Sequence, residues 1–142
     1  MTSPILAPAA VLILWSLAVL YLTAITRFSA FAKAGVDLGA ADPGGRYQDI
    51  EAGMPAKVNW KSHNYTHLME QPTLFYAVVA ILALAGAGGG LNLTLAWAYV
   101  GLRMVHSLWQ MFINTVPVRF ALFIVSTLCL TALAVNAVRA TF

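Results

Sequence analysis

Four long apolar runs dominate the sequence and limit the folds that it can adopt. They cover residues 4–26, 65–87, 91–113 and 117–138, and each is close to the ~20 residues that a helix needs to cross a hydrocarbon core of ~30 Å. The runs are continuous rather than alternating, which favours helices over the strands of a membrane barrel. A helix also satisfies its own backbone hydrogen bonds in lipid. We therefore predict an all-α, multi-pass integral membrane protein, a four-helix bundle that forms one domain over residues 1–142.

The composition agrees with a lipid environment. Hydrophobic residues make up 61% of the chain and charged residues only 9%, whereas a soluble domain carries about 25% charged residues. The net charge of +3 is small, and such a charge indicates orientation in a membrane rather than a nucleic-acid partner. We expect membrane lipids around the chain and no bound nucleic acid.

The distribution of basic residues predicts the orientation. Residues 28–62 form a long polar segment that contains Lys33, Arg46, Lys57 and Lys61, whereas the turn after the second apolar run carries no charge. Because Lys and Arg concentrate in cytoplasmic loops, we expect this segment to be cytoplasmic, in the inner or plasma membrane if the source is bacterial.

Polar residues recur at helical spacing inside the apolar runs. In the third run Arg103, His106, Gln110 and Asn114 are separated by three, four and four residues, so they form one stripe on a helix. His63, which precedes the second run and which we expect outside the membrane helix, shares a face with His67 and Glu70, and Arg119 lies at the start of the fourth run. Given the predicted topology, we expect all of these side chains to meet at the cytoplasmic end of the bundle.

The ionisable residues in lipid require a partner or a function. A charge at the bilayer centre costs ~3 kcal/mol on insertion scales, so we expect Glu70 to pair with Arg103. One interpretation is a structural ion pair that fixes helix register. Another is a metal site built from the three histidines and Glu70, although the order His-x-x-Glu reverses the di-iron motif, and we predict no metal ligands. The third is a cavity for a polar ligand.

Three segments resemble those of a known family. The stretches "HLMEQP" and "RMVHSLWQ", followed by "PVR", are similar to those of the MAPEG family, the membrane-associated proteins of eicosanoid and glutathione metabolism. The resemblance implies a homotrimer that binds glutathione between neighbouring subunits, together with a lipophilic small molecule. The family positions that hold the tripeptide or its surroundings correspond to Glu70, Arg103, His106 and Arg119.

The chain departs from the family pattern at four positions of this region. His67 stands where glutathione-using members have an Asn, and Thr66 stands beside it where they have an Arg. Gln110 replaces a Tyr that contacts the tripeptide, and Phe120 replaces a common Arg or Ser. His67 and Gln110 are therefore candidate ligand-binding positions with altered chemistry.

The resemblance leads to a catalytic hypothesis with two alternatives. The first is a glutathione-dependent transferase or peroxidase for lipophilic electrophiles, in which Arg119 is catalytic because it stabilises the thiolate nucleophile. The second is a non-catalytic MAPEG-fold protein that binds a lipid or an amphipathic anion. The third is a small transporter in which Glu70 is a proton-coupled carboxylate.

Overall fold

The fold consists of four long helices and one short helical turn. The computed structural model describes residues 3–142, and no strand occurs among them, so the all-α prediction is confirmed. The α-helices are α1 (Leu6–Ala34), α2 (Tyr47–Ile50), α3 (Ala56–Leu84), α4 (Gly90–Phe112) and α5 (Val116–Thr141). Short 3-10 segments at Leu38–Ala40 and Glu51–Gly53 precede and follow α2. The four long helices correspond to the four apolar runs.

Three of the long helices have the length and hydropathy of membrane spans. α1, α3 and α5 are 29, 29 and 26 residues long and are apolar enough to cross a bilayer, which supports a membrane protein. α4 has 23 residues and carries the polar stripe. The four-pass topology and the cytoplasmic side of the loop stay predictions.

Two helices extend beyond the predicted membrane segments. α1 continues to Ala34, where Gly35 ends it in the left-handed conformation at φ 66°, a position that glycine occupies without steric cost. α3 begins at Ala56, so His63, which we expected outside the helix, lies within it. The reason is that hydropathy marks where lipid ends, whereas a helix continues through polar residues until a turn residue stops it.

The helices pack in two antiparallel pairs. α1 packs mainly against α3, and α4 packs mainly against α5, while α3 also contacts α4 and α5. In the centre the rings of Phe75 and Tyr99 stack at a centroid distance of 4.5 Å, and both residues are fully buried. Large apolar side chains such as Leu14 and Leu84 are exposed on the outside. Such an outer surface suits lipid, because a soluble monomer rarely exposes extended apolar area.

Hydrogen bonds between side chains join the helices inside the apolar core. Gln71 of α3 donates to Thr127 Oγ1 of α5 at 2.8 Å and accepts from Tyr99 of α4 at 3.3 Å. At the opposite end of the bundle from the long loop, Asn136 donates to Asn92 at 2.7 Å. Bonds of this kind fix helix register in lipid, where apolar side chains gain little by associating with one another.

Ser107 is the shared acceptor of a second network. Its hydroxyl oxygen accepts from Trp15 Nε1 at 3.0 Å and from Asn64 Nδ2 at 2.7 Å. Ser107 and Asn64 are both fully buried. The network therefore ties α1, α3 and α4 together at one point.

Replacing Ser107 by alanine should destabilise the fold because it leaves the buried Asn64 amide and the half-buried Trp15 indole N–H without an acceptor. Each unpaired donor costs ~1–3 kcal/mol, so we expect a loss of about 2–4 kcal/mol in the free energy of unfolding. Thermal denaturation in detergent micelles measures it. Ser126→Ala is the matched control, because Ser126 is equally buried but bonds only to the Phe123 carbonyl of its own helix. Equal melting temperatures for the two variants would contradict this role of Ser107.

Candidate functional site

A polar cavity of about 510 Å³ lies at the loop-side end of the bundle. It is bounded by α3, by the end of α4, by the start of α5 and by the segment around α2. Its lining includes four of the six predicted site residues, namely His67, Glu70, Gln110 and Arg119. The predicted convergence of polar side chains from three helices is therefore present in the structure.

His67 connects an acidic and a basic residue. Its Nδ1 lies 2.9 Å from Glu70 Oε2, and its Nε2 lies 3.3 Å from Nη1 of Arg103. Because a guanidinium group can only donate, Nε2 is the acceptor and Nδ1 carries the proton that His67 donates to Glu70. The direct Glu70–Arg103 pair expected from the sequence does not form among residues 3–142, since the imidazole occupies the space between the two side chains.

Arg103 lies deep in the bundle. It is fully buried, and its Nη2 donates to the backbone carbonyl of His67 at 3.1 Å. This carbonyl belongs to a weakened turn of α3, because Pro72 lacks the amide that would bond to Leu68 one residue further on. Arg103 therefore supports the α3 backbone and orients the His67 ring. Its Nε has no hydrogen-bond partner among the described residues.

His106 and Gln110 share the buried face of α4 with Arg103, whereas Asn114, the fourth residue of the predicted stripe, lies in the turn after α4 ends at Phe112. His106 and Gln110 are 2% and 6% exposed, whereas Val105 and Leu108 on the opposite face are exposed. The carboxamide oxygen of Gln110 is buried and has no partner among residues 3–142. Gln110 therefore lines the cavity and has hydrogen-bonding capacity that the protein itself does not use.

Arg119 is positioned by the turn between α4 and α5. Its Nη1 donates to Asn114 Oδ1 at 2.7 Å, and Asn114 has a positive φ of 60°, a conformation that asparagine tolerates better than most residues. Arg119 lies in the first turn of α5, where the helix dipole adds positive potential. The guanidinium group has no carboxylate partner among the described residues. It is thus available to an anion.

A smaller, mostly apolar cavity of about 200 Å³ adjoins the polar one. His106, Val116, Phe120 and Phe123 contribute to its lining, and it shares two residues, His67 and Arg119, with the polar cavity. The His67 ring packs against those of His106 and Phe123 at centroid distances of 5.0 and 5.5 Å. A polar and an apolar compartment therefore meet at one imidazole and one guanidinium group.

Residues around α2 form part of the cavity wall, which the sequence did not predict. Gln48 and Glu51 line the cavity, and Glu51 pairs with His63 of α3. Asn59 holds the segment in place, because it accepts from Tyr47 Oη at 2.6 Å and donates to the Glu51 carbonyl at 3.0 Å. The partners lie eight or twelve residues apart across a loop, so no periodicity reveals them.

Tyr47 anchors this wall at a second point. The guanidinium group of Arg27 lies 3.7 Å above the centre of its ring, which is a cation–π contact. Burial raises the pKa of the Tyr47 hydroxyl above its ordinary value, and the charge of Arg27 opposes this only in part. The hydroxyl therefore stays protonated at neutral pH and continues to donate to Asn59.

Replacing Tyr47 by phenylalanine should loosen the wall without changing the helices. Loss of one hydrogen bond of ~1 kcal/mol should raise the population of the open loop, and with it the rate of trypsin cleavage after the exposed Arg46, about fivefold. Limited proteolysis followed by mass spectrometry gives this rate. Tyr21→Phe is the control, since Tyr21 is 67% exposed on α1. An unchanged cleavage rate would show that the hydroxyl does not hold the loop.

Comparison with known proteins gives one match. A family model described as the MAPEG family matches residues 5–139, which is nearly the whole chain. No curated protein and no solved structure matched the chain.

Proposed function

The chain belongs to the MAPEG family, and on this premise we propose that it is a glutathione-dependent transferase or peroxidase that acts on lipophilic electrophiles. The observation that carries the proposal is the pair of adjoining cavities that share His67 and Arg119. A reaction between a charged tripeptide and an apolar molecule needs one polar and one apolar compartment with a common border. Arg119 lies at that border.

The charges in the polar cavity suit glutathione. The tripeptide has two carboxylates and one ammonium group, and the cavity offers the guanidinium group of Arg119 together with the carboxylates of Glu70 and Glu51. The volume of about 510 Å³ falls within the usual range of ligand pockets, ~300–1,000 Å³. Gln110 lines the same cavity, and its buried carboxamide oxygen has no partner among the described residues. In this proposal Glu70 and Arg119 hold the charged groups of the ligand, and Gln110 bonds to its amide backbone.

Bound glutathione supplies the thiolate that attacks the electrophile. Arg119 stabilises the negative charge on sulfur, which favours loss of the thiol proton to water near neutral pH. His67 is not free for this task, because its two nitrogens are already bonded to Glu70 and Arg103. It serves as a positioning residue that keeps the Glu70 carboxylate at the rim. His106 lines the apolar compartment, where the electrophile enters from lipid.

The proposed assembly is the homotrimer that family resemblance implies. The Glu70 side chain is 61% exposed in the single chain, so the rim of the cavity is open where a neighbouring subunit would close it. Light scattering on the purified protein, corrected for bound detergent, measures the number of chains. A monomer that turns over glutathione would show that the trimer is not required.

A conjugation assay on the purified full chain tests the proposed activity. The probes are glutathione with 1-chloro-2,4-dinitrobenzene for transfer and with cumene hydroperoxide for peroxidase activity. We expect turnover above the uncatalysed rate and a rise in melting temperature on addition of glutathione. Absence of both effects would rule out the proposal.

A non-catalytic binding protein is the second candidate, and the composition of the cavity favours it at specific points. Thr66 and Gln110 line the polar cavity, and Phe120 lines the apolar one, at positions where the family resemblance led us to expect donors for the tripeptide. This candidate predicts a thermal shift with glutathione or an amphipathic anion, without turnover of either electrophile.

A further inference from the structure

A second groove of about 560 Å³ lies between α1 and α3, away from the two cavities described above. It is formed by the last three turns of α1, by the first turns of α3 and by the chain just before α3. No residue of the polar cavity lines it. Its chemistry is therefore independent of the proposed active site.

The charged residues of the groove are both basic. Lys33 of α1 and Lys61 of α3 line it, and no acidic residue does so. Among residues 3–142 neither ammonium group forms a salt bridge. The Nζ of Lys61 donates to the Lys57 carbonyl at 3.0 Å and lies 5.7 Å from the centre of the Phe112 ring, so two of its three N–H donors have no hydrogen-bond acceptor among the described residues. By contrast, the polar cavity contains two carboxylates. The groove therefore favours an anion.

The rest of the groove is mainly apolar. Ile25, Ala30 and Val58 provide aliphatic surface, and Gly53 and Pro55 line its loop end. Ile25 is 67% exposed on the outer surface of α1, so the groove is continuous with the surface that faces lipid. An occupant that fills it has an aliphatic part along α1 and an anionic group at the level of the two lysines.

We propose that this groove binds the phosphate headgroup and upper acyl chain of an anionic membrane phospholipid. Lys33 lies in the last turn of α1 and Lys61 in the second turn of α3, at the loop-side ends of two helices that are long and apolar enough to cross a membrane. In this proposal the lipid phosphates lie at the level of these ends, where each basic residue attracts anionic lipid. A zwitterionic lipid carries its own cationic group, so the two lysines attract it less strongly than they attract an anionic lipid. A free phosphate ion does not use the aliphatic wall.

Lipid retention by the full chain tests the assignment. The protein is reconstituted in nanodiscs of phosphatidylcholine with 20% phosphatidylglycerol, extracted in mild detergent and analysed by native mass spectrometry. We expect retained phosphatidylglycerol to exceed its share of the nanodisc lipid, and Lys33→Gln and Lys61→Gln each to reduce its retention about fivefold. Lys57→Gln removes the same charge from an exposed position outside the groove, and it should retain the lipid like the wild type.

Three results would overturn the proposal. The first is retention of phosphatidylglycerol in proportion to its share, with no preference over phosphatidylcholine. The second is an equal loss in the Lys57→Gln control, which would indicate general surface charge rather than a site. The third is displacement of the lipid by 10 mM inorganic phosphate, which would show that the aliphatic wall contributes nothing. All three readouts are independent of catalytic activity.

Discussion

Replacement of Arg119 by alanine should reduce kcat/KM for glutathione conjugation about 100-fold or more while leaving the fold intact. The guanidinium group lies where the polar and apolar cavities meet, and it has no carboxylate partner among residues 3–142. Removal of one preorganised donor from a developing anion typically costs 10²–10³ in rate. Because Arg119 is only partly buried, in the first turn of α5, the variant should melt close to the wild type. The assay with 1-chloro-2,4-dinitrobenzene measures the rate.

Two further variants separate catalysis from general charge. Arg139→Ala removes the same charge from an exposed position in the last turn of α5, and it should keep full activity. Arg119→Lys keeps the charge but loses the planar fork of donors, so we expect intermediate activity.

The pH dependence of the rate gives an independent readout. If Arg119 stabilises the thiolate, the alanine variant should need a higher pH to reach half of its maximal rate. An unchanged rate in Arg119→Ala would remove Arg119 from the mechanism.

The polar stripe of α4 could be predicted because it depends only on helical periodicity. Spacings of three and four residues place Arg103, His106 and Gln110 on one face of any α-helix. The short turn between the third and fourth apolar runs also brings the start of α5 to the end of α4. The structure accordingly places Arg119 and Gln110 in the lining of the same cavity. Local rules and the antiparallel order of the helices were sufficient for these residues.

The bridge through His67 could not be predicted by the same rules. Sequence patterns indicate that an acid and a base lie on facing helices, but the depth of each side chain depends on rotamers and on the packing of the helix pair. Glu70 turns outward to the rim, whereas Arg103 is fully buried. The imidazole of His67, which stands where we expected an Asn, is long enough to contact both. The charge complementarity was inferred correctly, and the contact geometry was not.

The wall around α2 depends on tertiary contacts alone. Gln48 and Glu51 lie in a polar loop whose composition indicated only membrane orientation. Their place at the cavity follows from the bonds that Asn59 makes to Tyr47 and to the Glu51 carbonyl. These contacts exist because α3 begins at Ala56, earlier than hydropathy indicates. The sequence therefore missed the start of α3 and the cavity wall for the same reason. A helix that started at the edge of the apolar run would not have contained Asn59, which holds the wall in place.

The variant Arg103→Ala should be the most destabilised of those considered. It removes a fully buried side chain from α4, and with it the donors to the carbonyl and Nε2 of His67. Truncation of a large buried side chain to alanine costs ~3–5 kcal/mol. We therefore expect a fall in melting temperature of about 10 °C for a chain of this size. Thermal denaturation in detergent, followed by intrinsic tryptophan fluorescence, measures it.

Arg103→Met separates lost volume from lost hydrogen bonds. Methionine fills much of the same space, and it avoids the cost of burying a guanidinium group that has no carboxylate partner among residues 3–142. It still removes the hydrogen bond from Arg103 to the His67 carbonyl, next to the turn that Pro72 weakens, so we expect a stability between that of the alanine variant and that of the wild type. Free from Arg103, the His67 ring should also lose its fixed orientation toward Glu70. Glutathione affinity, measured by the thermal shift, should therefore fall in Arg103→Met even where the fold survives. If both variants had the melting temperature of the wild type, Arg103 would not be the residue that supports the site.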